Sequence, residues 1–151
     1  MTTATFNKIK KYFANQKNVL AVYLYGSFAQ DRAGKMSDID FGIVMKKPIS
    51  ESKAFDLRIK YMGEIDKLLR HKLSYEYVDA AILNVASPLL KQQVIINGKL
   101  IYCADGDKCI KFETNTLKEY DDAMYLRKIY YHYLNKQAKT GVLGERHVFK
   151  R

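Results

Sequence analysis

Residues Tyr23 to Phe41, YLYGSFAQDRAGKMSDIDF, decide how this chain is read. They begin inside a β-rich apolar run, Val19 to Tyr25, that stops at Gly26 and so reads as a buried strand. Ser27 to Gln30 can open a short helix after it. Asp31 to Ser37 is polar, contains Gly34 and reads as a loop. A second strand, Ile39 to Met45, follows and ends at Lys46-Lys47-Pro48. Its entrance carries two like charges, Asp38 and Asp40, one residue apart. A pair of acids in a run that otherwise looks buried asks for a reason.

Outward from this stretch, strands and helices alternate. Phe6 to Phe13 has the spacing of a short amphipathic helix. Ser50 to His71 reads as a helix with one apolar stripe, Phe55, Ile59, Met62, Ile65 and Leu69. Tyr75 to Leu83 is a third strand. Ser87-Pro88 is a good helix start, with serine at the cap and proline in the first turn, and that helix runs to Ile96 before Gly98. Lys99 to Tyr102 is a short edge strand. Thr116-x-x-Glu119 has the form of a capping box and is expected to begin a long last helix to about Ala138, with Gly141 just past its end. The expected class is therefore α/β (α+β), a mixed sheet of about four strands flanked by helices. Residues 1–106 form the expected core, and 107–151 a C-terminal helix and basic tail within the same domain.

Bulk properties set limits. The chain has 151 residues, enough for one domain with a real core, and a hydrophobic fraction of 48% that excludes a disordered tail. No apolar run approaches the roughly 18 residues of a membrane span. Met1 to Lys11 lacks the apolar centre of a secretory signal, so a cytoplasmic protein is expected. Cys103 and Cys109 have no second pair for a closed zinc site, and a reducing compartment disfavours a disulfide between them. The net charge is +10. Much of it is C-terminal: Arg127, Lys128, Lys136, Lys139, Arg146, Lys150 and Arg151 face the single acid Glu145 from Arg127 onward. Such a surface favours an anionic partner, although a merely solvated face gives the same count. No RNA-recognition motif accompanies it, and direct nucleic-acid binding is not expected.

The Gly-Ser step and the aspartates acquire meaning together. Glycine lets a ligand approach the backbone at Gly26, and the first amides of a helix point outward with partial positive charge. Ser27 adds a hydroxyl donor. Residues i and i+2 of a strand share a face, so the Asp38 and Asp40 carboxylates repel unless a proton or cation lies between them. Oxygen ligands alone suit Mg²⁺ or Mn²⁺ better than zinc. Asp79, in YEYVDAAIL, is a third carboxylate on an apolar strand. If that strand lies beside the Asp38–Asp40 strand, three acids converge as in two-metal phosphoryl chemistry. The bland alternatives are two solvated edge acids and, for Asp79, a salt bridge to a nearby lysine.

On these residues the chain resembles the DNA polymerase β-like nucleotidyltransferase superfamily: Gly26-Ser27, a spacer, Asp38-x-Asp40, and Asp79 on a later strand. SDIDF, YVDAAIL and LLKQQVIINGKLIY, with the small size, make it similar to the minimal nucleotidyltransferase (MNT) branch, many of whose members are antitoxins paired with a HEPN ribonuclease toxin. The resemblance implies ATP as substrate and two Mg²⁺ ions. It implies phosphates at Gly26 and Ser27, metals held by Asp38 and Asp40, and Asp79 on the catalytic metal, helping to activate the acceptor. It also implies a HEPN toxin as complex partner and substrate, with AMP transferred to a tyrosine hydroxyl. Two alternatives stay open: an antibiotic nucleotidyltransferase, and an antitoxin that neutralises by docking without catalysis. Related sequences often carry a basic-glycine step where this chain has Gln30-Asp31, so the resemblance assigns Asp31 no role.

Other candidates carry less. Arg127 and His132 spell the R-x4-H of HEPN ribonucleases, but five residues along a helix separate two side chains by about 140°, and HEPN domains have no strands. Tyr120, Met124, Tyr131 and Leu134 form an aromatic-rich packing face on that helix, and its tyrosines and basic residues can make a docking surface. Lys35, Arg58 and the tail lysines are cations available to a triphosphate or a partner. His71 and His147 lack neighbours at metal-ligand spacing.

Overall fold

The computed structural model describes residues 3–34, 37–69 and 77–140. Lys35, His71, Tyr75, Gly141, His147 and the last cations of the tail lie outside them. Strands β1 (Val19–Tyr25) and β2 (Ile39–Met45) have the bounds read from sequence and pair antiparallel, from Val19↔Met45 to Tyr25↔Asp40. The other edge of β2 pairs with β3 (Val78–Ile82) in parallel, and β4 (Lys99–Cys103) runs antiparallel to β1. The order is β3-β2-β1-β4, a mixed four-stranded sheet with β4 at an edge, as expected. A parallel neighbour requires a crossover, and helix α3 (Glu51–Leu69) supplies it between β2 and β3.

Alternation along the strands builds two cores. Val22, Leu24, Ile39, Phe41, Ile43, Val78, Ala80 and Ile82 face one layer, where α1 (Thr3–Ala14) contributes Ile9 and Phe13 and α3 contributes Tyr61, Ile65 and Leu69. Ala21, Tyr23 and Val44 face the opposite layer, with Leu83, Val94 of α4 (Pro88–Asn97) and Cys109 of α5 (Gly106–Thr140). Helix α4 lies close because β2 carries glycine beneath it. A Cβ on Gly42 would meet Val94 Cγ1 at 2.9 Å and Leu83 Cδ1 at 3.1 Å. Tyr23 ties α5 to the sheet by donating its hydroxyl to Glu113 Oε1 at 2.8 Å. The Ser87 cap is present, its side chain accepting from the Leu90 N–H.

Three expectations need correction. The apolar stripe of α3 is rotated. Ala54, Tyr61, Ile65 and Leu69 are buried, whereas Phe55 is 62% and Ile59 55% exposed. Hydropathy ranks phenylalanine and isoleucine above alanine and tyrosine, but the face that packs into the core is the one carrying Ala54, Tyr61, Ile65 and Leu69. Helix α5 starts at Gly106, ahead of the supposed capping box. Asp105 caps it by accepting from the Lys108 N–H at 3.2 Å, so Thr116 is a buried mid-helix residue and Glu119 pairs with Lys91 at 2.9 Å. Lastly, Cys103 and Cys109 are disulfide-bonded, because the short β4–α5 connection brings their Cα atoms to 6.6 Å. Among the described residues no helix is long and apolar enough to cross a membrane.

The Gly42 contact yields a prediction. Gly42→Val forces Val94 and Leu83 apart and is expected to destabilise the fold by about 1–3 kcal/mol, the usual cost of overpacking. Urea unfolding would show it as a lower midpoint with an unchanged slope.

Candidate active site

The strand parity that buries Ile39, Phe41 and Val78 turns Asp38, Asp40 and Asp79 toward the face that carries α4 and α5. Asp40 pairs with Tyr25 of β1 on one side and with Asp79 of β3 on the other. Tyr25, Asp40 and Asp79 therefore form one row across three strands, at a spacing of about 4.8 Å per strand. Asp38 stands just outside the start of β2, exposed, and Asp40 and Asp79 are half-buried.

Gly26 closes the row from β1. Its φ is +70°, a conformation that favours glycine, and a Cβ there would overlap Asp40 Oδ2. The backbone turn thus lies directly against the Asp40 carboxylate. Gly26 also opens the four-residue helix α2 (Gly26–Ala29), whose start has no side-chain cap. Ser27 follows in that turn, and its carbonyl accepts from the Arg32 N–H.

Electrostatics mark Asp40 as the centre. Burial, then the charge of Asp79, then that of Asp38 push its carboxyl up to about 6. Tyr25 is pushed up to about 12 by burial and by Asp40 and Asp79, with Arg58 opposing. Arg58 reaches from α3 to Asp79, Nη2 to Oδ1, at 2.9 Å. Asp79 Oδ1 also accepts from the Ala80 N–H at 2.7 Å. The pair is 47% and 37% exposed, so it contributes no more than about 1 kcal/mol. Arg58 and Asp79 together border two open cavities. One, of 340 Å³, is walled by Tyr25, Phe55, Ala81 and Val85; the other, of 460 Å³, by Asp38, Met62 and Tyr77.

All five residues singled out from sequence are thus in one region, but they are not equally gathered. Gly26, Asp40 and Asp79 lie side by side, Ser27 follows Gly26, and Asp38 sits at the exposed rim. Asp79 has the salt bridge foreseen as its bland alternative, with arginine in place of lysine. Among the described residues no three His, Cys, Asp or Glu side chains already surround one point as metal ligands. The donor set is nonetheless three carboxylates, which suits a hard cation such as Mg²⁺. Arg58 and the Ala80 N–H both engage Oδ1 of Asp79. Tyr25 was not singled out from sequence; its parity with Tyr23 and the β1–β2 register place it in the row. Asp31 takes a left-handed conformation, φ 54°, and pairs with Lys99 at 3.0 Å on the surface, away from the row.

Residues 7–107 match the family model of polymerase beta nucleotidyltransferases. The chain belongs to that family. As a nucleotidyltransferase it is similar to a chain from a crystal structure of a toxin–antitoxin with AMP-PNP: TM-score 0.64, 26% identity, covering 84% of this chain and 95% of that one. Similar folds occur in the MntA–HepT toxin–antitoxin and in a tri-AMPylated Shewanella oneidensis HEPN toxin in complex with MNT antitoxin. Each has TM-score 0.62 and 23% identity, covering 87% of this chain and 97% of that one. No curated protein matches the sequence. The resemblance to MNT antitoxins seen in the sequence is borne out.

The crowding of Asp40 has a consequence for the metal-free protein. With its pKa raised on folding, ionised Asp40 opposes folding above about pH 6, and that opposition fades as pH falls toward the unfolded value of about 4. Asp40→Asn should therefore raise the melting temperature at pH 7–8 in chelator-treated buffer, with the gain vanishing near pH 4. Gly26→Val should disrupt the same contact from the other side and lower the melting temperature at every pH.

Proposed function

We propose that this nucleotidyltransferase is an antitoxin that transfers AMP from ATP to a tyrosine hydroxyl of a HEPN ribonuclease toxin. The observation that carries the reading is the row itself: Asp40 aligned with Asp79 across β2 and β3, against the backbone of Gly26. An acid pair on neighbouring strands at an open cavity suits the binding of a divalent cation, which in turn can offset the negative charge of a triphosphate. The relative containing AMP-PNP supports ATP as the donor, and the AMPylated HEPN toxin of the Shewanella complex supports a protein acceptor.

In this reading Asp38 and Asp40, joined by Asp79, would hold Mg²⁺. Mg²⁺ supplies neutralisation of the triphosphate and of the charge that develops on the leaving pyrophosphate. Gly26 keeps a Cβ out of the space beside Asp40, so that phosphate can approach the backbone. The Ser27 hydroxyl donates to a phosphate oxygen. Asp79 faces the acceptor side, where its carboxylate orients the attacking hydroxyl and takes up its proton. The hydroxyl oxygen bonds to the α-phosphorus as the bond to the bridging oxygen breaks, and pyrophosphate departs. Tyr25, whose hydroxyl stays protonated, can donate a hydrogen bond within the row. The cytoplasm, where ATP is abundant, is the proposed setting.

Labelled ATP, Mg²⁺ and a HEPN toxin that forms a complex with the chain test the proposal. Label on a partner tyrosine, lost by at least about 100-fold in Asp38→Asn/Asp40→Asn, is the expected result. Absence of label while the two proteins form a complex would sink it. The docking-only reading has one observation in its favour, the engagement of Asp79 by Arg58. Under that reading the double variant still protects cells from the toxin; under transfer it does not.

A further inference from the structure

Helix α5 has 35 residues, about 50 Å of helix, and its first half is anchored to the body. Cys109 and Thr116 are buried, Glu113 accepts from Tyr23, and Glu119 pairs with Lys91 of α4. Beyond Arg127 the helix runs largely exposed. Leu126, Ile129, Tyr130 and Tyr133 follow at i, i+3, i+4 and i+7, and so form one apolar stripe, 66%, 38%, 62% and 60% exposed. An exposed apolar stripe of this size gains nothing from water and is favourable only when another surface covers it. A 210 Å³ groove between α4 and α5, lined by Pro88, Leu89, Ala123, Met124 and Arg127, lies on the neighbouring face of the helix.

Charge narrows what can cover it. Arg127 and Lys136 flank the stripe, Lys128 and Lys139 lie behind it, and no acid occurs between Asp122 and Thr140. A second copy of the chain would bring the same cations within a Debye length of these, which disfavours self-pairing. Acidic residues on a different protein would meet them favourably. We infer that the distal half of α5 docks the protein on which the chain acts, and that this partner covers the stripe with an apolar helix face bordered by Asp and Glu. The inference rests on the reading that the acceptor is a protein. It separates recognition from chemistry: the stripe supplies affinity, and the Asp40 row supplies transfer.

The test is titration calorimetry between the full chain and that HEPN toxin, with labelling by ATP measured in parallel. Leu126→Asp/Ile129→Asp/Tyr133→Asp should weaken binding by about 100-fold or more, as loss of a central apolar cluster does. Its melting temperature should stay at the wild-type value, because the three side chains are exposed. Arg127→Glu/Lys136→Glu should weaken binding by about 10-fold and flatten its salt dependence. At saturating partner the stripe variant should regain labelling. Wild-type affinity in the stripe variant overturns the inference and leaves adenylylation standing. Tight binding lost with the stripe, but without label in the wild type, overturns adenylylation and keeps the docking surface. Self-association, or RNA binding, that disappears with the stripe while partner binding persists also overturns the inference.

Discussion

Strand β2 is paired along both edges, and the rest of the molecule is arranged by that constraint. Antiparallel pairing with β1 brings Tyr25 and Gly26 to Asp40, and parallel pairing with β3 brings Asp79 to its other side. A shift of one residue in either register would turn Asp40 and Asp79 into the Ile39–Phe41 core, at the cost of burying charge. The apolar parity of β2 and the acidic row are thus two consequences of one alternation. The helices follow from it as well, since each face of the sheet needs its own cover.

The row is electrostatically unsettled without a cation. Asp40 is half-buried between two like charges, and Arg58 relieves only Asp79. Its ion pair is exposed and weak, so a stronger partner can displace it. This combination, a rigid backbone framework carrying loosely committed charges, suits a site that must admit an anionic substrate with its counterions. The same division recurs at larger scale in α5, whose first half is anchored to the sheet and to α4 and whose second half presents an exposed apolar stripe.

Local signals were legible where neighbouring residues decide the outcome. The bounds of β1 and β2, the Ser87 cap and the edge position of β4 follow from short-range pattern, and so does the Gly26–Asp40 motif. Other readings failed where distant parts compete. Phe55 and Ile59 have the periodicity of a core stripe, but the packing of α3 on the sheet buries the line through Ala54, Tyr61, Ile65 and Leu69 instead. Thr116-x-x-Glu119 has the form of a start signal, yet Asp105 is placed to cap first, and helix propagation past Thr116 then costs little. The cysteine pair is close only because β4 turns directly into α5.

By itself, the sequence determined an α/β chain with a glycine turn, two same-face acids and a third acid on a later strand, because strand parity and turn chemistry are properties of a few adjacent residues. Tertiary structure alone decided that Asp79 stands next to Asp40 rather than across the sheet, that Arg58 is the cation that reaches it, and that Tyr25 joins the row. Those choices depend on strand order and on the rotation of α3. Both are set by which arrangement buries the most apolar surface over the whole sheet, a sum that no local stretch contains.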